Sequence, residues 1–294
     1  MNIEKEKQAI QYLQSFEPQD EPYFLAYSGG KDSDVIKTLA QLAGVKYEAV
    51  HNLTTVDAPE TVQYVRSQKD VRILKPEITM WDLIVKKGMP PTRIVRYCCS
   101  TFKERKAPGR LSVTGVRWAE STGRKESSDI VNAWGKPKTT EKTAASMNVD
   151  FKTNKFGSVI VANDNTETRK FVESCYREST FTINPIIDWS HTDVWEFLKH
   201  YGIEGNPLYA EGFTRVGCVM CPMAGSCGMK KEAARWPKYK ANYIKAFDRM
   251  ITRRKERGMP THWNSGEECF TWWVGDDPDQ ISLLSFVEDD IDIK

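Results

Sequence analysis

Residues 27–34 read YSGGKDSD, set between the apolar PYFLA of 22–26 and the run DVIKTLAQLAG of 34–44. An apolar strand that enters a glycine-rich turn and leaves as a helix brings several backbone N–H groups and the positive end of the helix toward one point. That geometry suits the oxygens of a phosphate. Gly29 and Gly30 let the backbone approach closely, and Lys31 adds a mobile positive charge. Asp32 is a candidate Mg²⁺ ligand, and Ser28 and Ser33 supply hydroxyl donors. The spacing is not that of a Walker loop, which requires four residues between its first glycine and the Gly-Lys pair.

Outward from this turn the pattern keeps alternating. KYEAVHN, VRIL and LSVTGVR read as strands, and DVIKTLAQLAG and PETVQYVRSQ as helices. Such alternation predicts a doubly wound α/β fold with a mostly parallel sheet covered on both faces. A short amphipathic helix over 1–21, with Ala9, Ile10, Leu13 and Phe16 on one face, precedes the first strand. The nucleotide-binding domain is expected to run over 22–215. Within it, 125–157 is polar and weakly periodic and reads as a long loop or insertion, a candidate lid. SVIVAN, TETRKFVESCY and FTINPIIDW resume ordered structure, and Ser190 caps SHTDVWEFLKHYG. A helical, cysteine-containing region occupies 216–294, with a long or broken helix at 229–257 interrupted by Pro237 and an acidic tail, VEDDIDIK.

The chain has 294 residues, 40% apolar and 28% charged, the composition of a soluble globular protein. A formal charge of +2 and a pI near 8.1 give no nucleic-acid signature in the totals. The basic residues do cluster, however, on the helix at 229–257, which carries Lys230, Lys231, Arg235, Lys238, Lys240, Lys245, Arg249, Arg253, Arg254, Lys255 and Arg257. Two roles are open for it: tracking a phosphate backbone, or forming the solvated face of a core helix. No apolar run reaches the roughly 20 residues of a membrane span, and the start, MNIEKEKQAIQYL, lacks a signal-peptide core. The expectation is a cytoplasmic protein without membrane contact, for which an oligomer is compatible.

Seven cysteines form no secreted framework. Cys98 and Cys99 are adjacent, and Cys218 and Cys221 form a Cys-x-x-Cys. Four such thiolates suit an iron–sulfur cluster better than a single tetrahedral zinc, which stays the alternative. Cys227 is an alternative ligand, and Cys175, beside Phe171 and Val172, reads as core.

SGGKDS resembles the PP-loop of the ATP pyrophosphatases. TTVDAPETVQYV, RYCCSTFKERKAP, VTGVRWAESTGRK, INPIIDWSHTDVWEFL and NPLYAEGFTRVGCVMCP narrow the resemblance to the phosphoadenosine-phosphosulfate reductase family, in family order from Tyr23 to Pro222. The resemblance implies an adenine nucleotide alpha-hydrolase-like fold that takes ATP or an adenylyl sulfonucleotide. It places adenosine and ribose contacts at Thr55 and Asp57, and phosphate or sulfate contacts at Gly115 and Arg117. Asp57 has a second role open, as cap of the helix near Pro59, and Arg117 has one as a surface partner of Glu120. The resemblance further implies a four-iron, four-sulfur cluster on the cysteine quartet. The intact Lys31 and Asp32 lean toward ATP cleaved between its α and β phosphates, with Lys31, Asp32 and Arg117 catalytic. The acceptor would be activated for sulfur transfer, with a nucleic acid as one candidate, and a protein sulfur or electron donor is expected.

The reductases of this family carry a reactive cysteine in a Glu-Cys-Gly-x-His tail. Here GEECFTWWVG keeps Glu268 and Cys269 without the glycine and histidine, and its bulk suggests packing. A sulfonucleotide reductase that forms sulfite is therefore the alternative reading, and a non-catalytic nucleotide-sensing module is the third.

Overall fold

A computed structural model describes residues 1–104, 107, 109–134 and 137–275, so the acidic tail lies outside the described residues. Among the described residues eight strands occur in chain order: β1 (Tyr23–Ala26), β2 (Tyr47–Asn52), β3 (Val71–Leu74), β4 (Leu111–Val113), β5 (Val131–Trp134), β6 (Lys152–Thr153), β7 (Val159–Val161) and β8 (Thr180–Ile183). The helices are α1 (Ile3–Ser15), α2 (Lys31–Ala43), α3 (Pro59–Ser67), α4 (Met80–Lys87), α5 (Tyr97–Cys99), α6 (Thr122–Ser127), α7 (Pro137–Ser146), α8 (Thr166–Cys175), α9 (His191–His200), α10 (Gly225–Arg235), α11 (Pro237–Glu256) and α12 (Gly266–Trp273).

The residues form two compact units. One comprises Met1–Asn52, Pro59–Leu74 and Arg105–Val216; the other comprises Leu53–Ala58, Lys75–Glu104 and, as far as it is described, Gly217–Lys294. The second unit includes 53–58 and 75–104, which the sequence pattern assigns to the nucleotide domain.

In the first unit the strands make one sheet in the order β3-β2-β1-β4-β8-β5-β7-β6. β3, β2, β1, β4 and β8 run parallel, whereas β5, β7 and β6 pair antiparallel at one side. Burial on both faces explains the short apolar strands LSV and VIV, every residue of which is buried. The chain winds from β1 outward through β2 to β3, then returns to place β4 on the other side of β1. The crevice beyond the carboxyl ends of β1 and β4 is therefore the topological switch point, where open α/β sheets receive ligands.

The described residues of 125–157, which exclude 135 and 136, include regular elements, contrary to the expected loop. They contain the end of α6, all of β5 and α7, and the short β6. Val131, Asn132 and Ala133 are buried in a strand too short for its periodicity to show in the sequence. Elsewhere the local signals hold. Ser190 caps α9, its hydroxyl accepting from Asp193 N while the Asp193 carboxylate returns to Ser190 N. Pro237 splits the basic helix into α10 and α11, because it cannot donate within a helix but fits the first turn of a new one.

The second unit is held by aromatic side chains on three helices. Tyr243 of α11 meets Trp81 of α4 at 4.8 Å and Trp273 of α12 at 4.6 Å between ring centroids, and Phe247 meets Trp273 at 5.3 Å. The aromatic stripe of α11 is thus a buried face. Arg254, one of the basic residues of that helix, is buried too. Its guanidinium donates to the carbonyls of Pro260 (2.8 Å) and Gly88 (2.9 Å). Lys238, Lys245, Arg249 and Lys255 remain exposed.

Two predictions follow from the packing of the first unit. Phe181 of β8 is fully buried and meets Phe171 of α8 edge-on at 5.3 Å. Phe181→Ala is expected to cost about 3–5 kcal/mol in urea denaturation; a loss under about 1 kcal/mol would show that this contact does not anchor the sheet. The second concerns Asp34, buried in the first turn of α2 with its carboxyl accepting from Tyr27 Oη. Burial raises this carboxyl from 3.8 to about 6. The folded state thus holds the proton more tightly than the unfolded one, so this group's contribution is complete below pH 4 and is lost as pH rises through about 6. The loss is about 3 kcal/mol, at 1.36 kcal/mol per pKa unit. Asp34→Asn is expected to flatten the stability profile between pH 4 and 6.5 in magnesium-free buffer, and an unchanged slope would refute the assignment.

Candidate phosphate loop and cysteine centre

The turn after β1 is shaped by contacts on every side. Gly29 has φ +76°, and a Cβ there would stand 2.7 Å from Val65 Cγ2 and 3.2 Å from Thr61 Cγ2 of α3, so only glycine fits. Gly30 precedes α2 in an extended conformation. Its N–H donates to Ser33 Oγ (3.1 Å), whose hydroxyl donates back to Gly30 O (2.7 Å). Ser28 Oγ lies 3.3 Å from Ser33 Oγ. Asn206, buried on the loop that follows α9, donates from Nδ2 to Gly29 O (2.9 Å) and Thr61 Oγ1 (3.0 Å), bracing the turn against α3.

The charges of the site are tied together. Asp32 Oδ2 pairs with Lys31 Nζ at 3.3 Å, and Asp32 Oδ1 pairs with Arg117 Nε at 2.7 Å. Arg117 is fully buried and also donates from Nη1 to Trp189 O (3.2 Å), with His191 Nδ1 3.5 Å from Nη2. Gly115 makes this approach possible, since a Cβ there would come within 3.0 Å of Asp32 Cβ and Asp32 O. The structure therefore gathers Ser28, Gly29, Gly30, Lys31, Asp32, Ser33, Gly115 and Arg117 at the carboxyl ends of β1 and β4. Glu120 pairs with Arg124 at 3.7 Å, not with the Arg117 side chain. In this conformation each oxygen of Asp32 has a cationic partner, and the Arg117 guanidinium is spent on Asp32 and backbone.

Asn206 and Tyr209 belong to this site but have no role in the sequence reading, although NPLY carries them both. Asparagine before proline is a recognisable cap, and Asn206 Oδ1 does accept from Leu208 N at 3.1 Å. Nothing local indicates that its amide also reaches back to Gly29.

Thr55 and Asp57 lie in the second unit. Thr55 has φ +65°, and its hydroxyl accepts from Met80 N at 2.9 Å. Asp57 is buried with its carboxylate folded back onto Thr54, accepting from Thr54 N (2.7 Å) and Thr54 Oγ1 (2.9 Å). This carboxylate braces the turn after β2, and the backbone of Asp57 bridges to Cys218.

The cysteine quartet is entirely within the second unit, and its four thiols share one neighbourhood. Cys98 and Cys99 sit in α5, which runs directly into the wide-wound helical turn Ser100–Glu104. Cys218 donates to Thr54 Oγ1 at 3.4 Å, and Cys221 opens the turn at Pro222–Ala224. The Cys98 thiol is pushed up by its hydrogen bond with Cys99, by burial, and by the charges of Cys99, Cys218 and Cys221. Cys99 is pushed down by its hydrogen bond with Cys98 and by Arg96, whose Nη2 is 3.4 Å from its sulfur. Among the described residues no three His, Cys, Asp or Glu converge as ligands of a single metal ion. Cys227 is exposed, and Cys175 is half-buried against the main core. Cys269 is fully buried in α12, and burial, with Glu268 and Asp248 nearby, pushes its thiol well up. Among the described residues no helix is long and apolar enough to cross a membrane.

Known proteins share parts of this sequence. The phosphoadenosine phosphosulfate reductase domain matches residues 22–224. An uncharacterised 37.8 kDa protein of Escherichia phage 186 is 37% identical over 81 residues, 28% of this chain and 24% of that protein. An uncharacterised protein of Methanocaldococcus jannaschii is 28% identical over 211 residues, 68% of this chain and 41% of that one. The adenosine 5'-phosphosulfate reductase of Allochromatium vinosum is 41% identical over 54 residues, 18% of this chain and 21% of that enzyme. The chain thus spans less than half the length of these curated relatives. With a match over more than half its own length, the chain belongs to the phosphoadenosine phosphosulfate reductase domain family, a PP-loop-type nucleotide-binding fold.

Proposed function

We propose that the chain binds ATP in the turn 28–33 and catalyses attack of an acceptor nucleophile on the α phosphorus. The bond from that phosphorus to the oxygen bridging to the β phosphate breaks, pyrophosphate leaves, and the acceptor carries AMP, activated for sulfur transfer. The observation that carries this reading is the complete loop: both glycines, Lys31 and Asp32 present and assembled at the switch point with Arg117. The Gly30 and Lys31 amides and the N-terminus of α2 would hold phosphate oxygens. Lys31 would neutralise the charge that grows on the departing pyrophosphate. Asp32 keeps Lys31 and Arg117 together at the same crevice, and Mg²⁺ brought with the nucleotide would compete with those cations for its oxygens.

Cys98, Cys99, Cys218 and Cys221 would hold an iron–sulfur cluster, the support being four soft sulfur donors, a pair and a Cys-x-x-Cys, in one compact unit. Such a cluster supplies electron-transfer or sulfur chemistry when bound, and zinc is the alternative occupant. Sulfonucleotide reduction is the second reading, favoured by the named reductase among the relatives. Against it stands the buried Cys269, whose raised thiol suits packing and not nucleophilic attack. A nucleic acid is one acceptor compatible with the exposed lysines and arginine of α11.

Two outcomes are expected of the anaerobically purified protein. It releases pyrophosphate from ATP when the acceptor is present, and Lys31→Ala lowers that rate at least a hundredfold, about 3 kcal/mol of transition-state stabilisation. Sulfite release from an adenylylated sulfate that is lost in Cys269→Ser would instead establish the reductase. Separately, iron and sulfide analysis should find bound iron that falls away in Cys98→Ser and Cys218→Ser. Stoichiometric zinc without iron would refute the cluster.

A further inference from the structure

Two of the donors that the loop would offer a phosphate, the Lys31 amide and ammonium, lie around one side chain assigned no role above. Tyr209, in the short turn Pro207–Tyr209, places its hydroxyl oxygen 3.0 Å from Lys31 N, where it accepts the first amide of α2. The same oxygen is 3.1 Å from the position a Cβ would take on Gly30, so the phenol lies directly over the glycine. The Lys31 ammonium stands 5.5 Å from the centre of the Tyr209 ring. Trp195 of α9 meets that ring edge-on at 5.1 Å and fixes its direction, while Asn206, three residues earlier, ties the turn to Gly29 O. Among the described residues the phenol accepts one hydrogen bond and donates none, leaving its proton available.

We propose that Tyr209 is a phosphate-binding residue of this site: when a phosphate oxygen takes the Lys31 amide, the phenol gives up that amide and donates its own O–H to the same phosphate group. The proposal rests on reading the loop as the nucleotide seat. Three features support it. A phosphate close enough to accept from Lys31 N must touch the hydroxyl that now occupies the place. Burial, together with the nearby Asp32 and Asp34 carboxylates, keeps the phenol protonated, so Tyr209 offers phosphate a proton and no opposing charge. The ring also faces the Lys31 ammonium, an attraction between cation and π face that keeps the lysine beside the loop before phosphate arrives. The turn Asn206–Tyr209 thereby serves as a second wall of the phosphate seat, one that the glycine-rich motif alone does not reveal.

Calorimetric titration of the full chain with ATP and with inorganic pyrophosphate, comparing wild type, Tyr209→Phe and Lys31→Ala, tests this. Phenylalanine keeps the ring against Trp195 and Lys31 and removes only the hydroxyl, so the thermal midpoint should stay within a few degrees of wild type. Tyr209→Phe is expected to weaken both ligands by about tenfold and by the same factor, because the contact is to phosphate. Affinity equal to or tighter than wild type for pyrophosphate would overturn the proposal, showing the phenol to be a competitor for the amide. If Lys31→Ala abolishes binding while Tyr209→Phe leaves it intact, the loop reading stands and only the role of Tyr209 falls. If wild type binds neither ligand, both fall together.

Discussion

The first unit depends on one carboxylate. Asp32 sits at the start of α2 with a lysine on one oxygen and a buried arginine on the other, and that arginine is anchored to the backbone at Trp189. The bridge joins the turn after β1 to the segment after β4, the two neighbours between which the winding of the sheet reverses. A fully buried guanidinium without a carboxylate partner would cost several kcal/mol, so Asp32 and Arg117 must be kept together or lost together. Gly115 is the steric condition for the pair, and Gly29, locked by Asn206, is the steric condition for the turn. The fold holds two cations on one carboxylate at the carboxyl ends of β1 and β4.

Much of this was legible in YSGGKDSD, because strand, glycine turn and helix start are local events with local causes. The same holds for the Ser190 cap and for the break at Pro237. The antiparallel side of the sheet was not legible. VNAW is only four residues long, and its burial comes from pairing with β8 and β7, which are distant in sequence. The side-chain partners of Arg117, Asp57 and Tyr209 were hidden for a related reason. Each side chain is committed to a partner that no spacing rule identifies: Arg117 to Asp32, Asp57 to Thr54, and Tyr209 to the Lys31 amide. Arg254 shows the opposite failure, a charge that reads as surface yet closes carbonyls inside the second unit.

The cysteines divide by environment as much as by motif. The Cys98 thiol is pushed up by Cys99, by burial and by Cys218 and Cys221, while Arg96 favours the thiolate at Cys99. Cys269 is enclosed by the aromatic packing of α11 and α12, and burial holds it as a thiol. Within the quartet the shift toward thiolate is at Cys99, beside Arg96, whereas Cys98 and Cys218 are held as thiols.

The central claim is that the amides at the start of α2 receive nucleotide phosphate. Hydrogen–deuterium exchange resolved to single amides, with and without ATP and Mg²⁺, tests it most directly. The account predicts slowed exchange at Gly30 and Lys31 on addition of ATP. ATP binding with protection elsewhere and unchanged exchange at these two amides would contradict it.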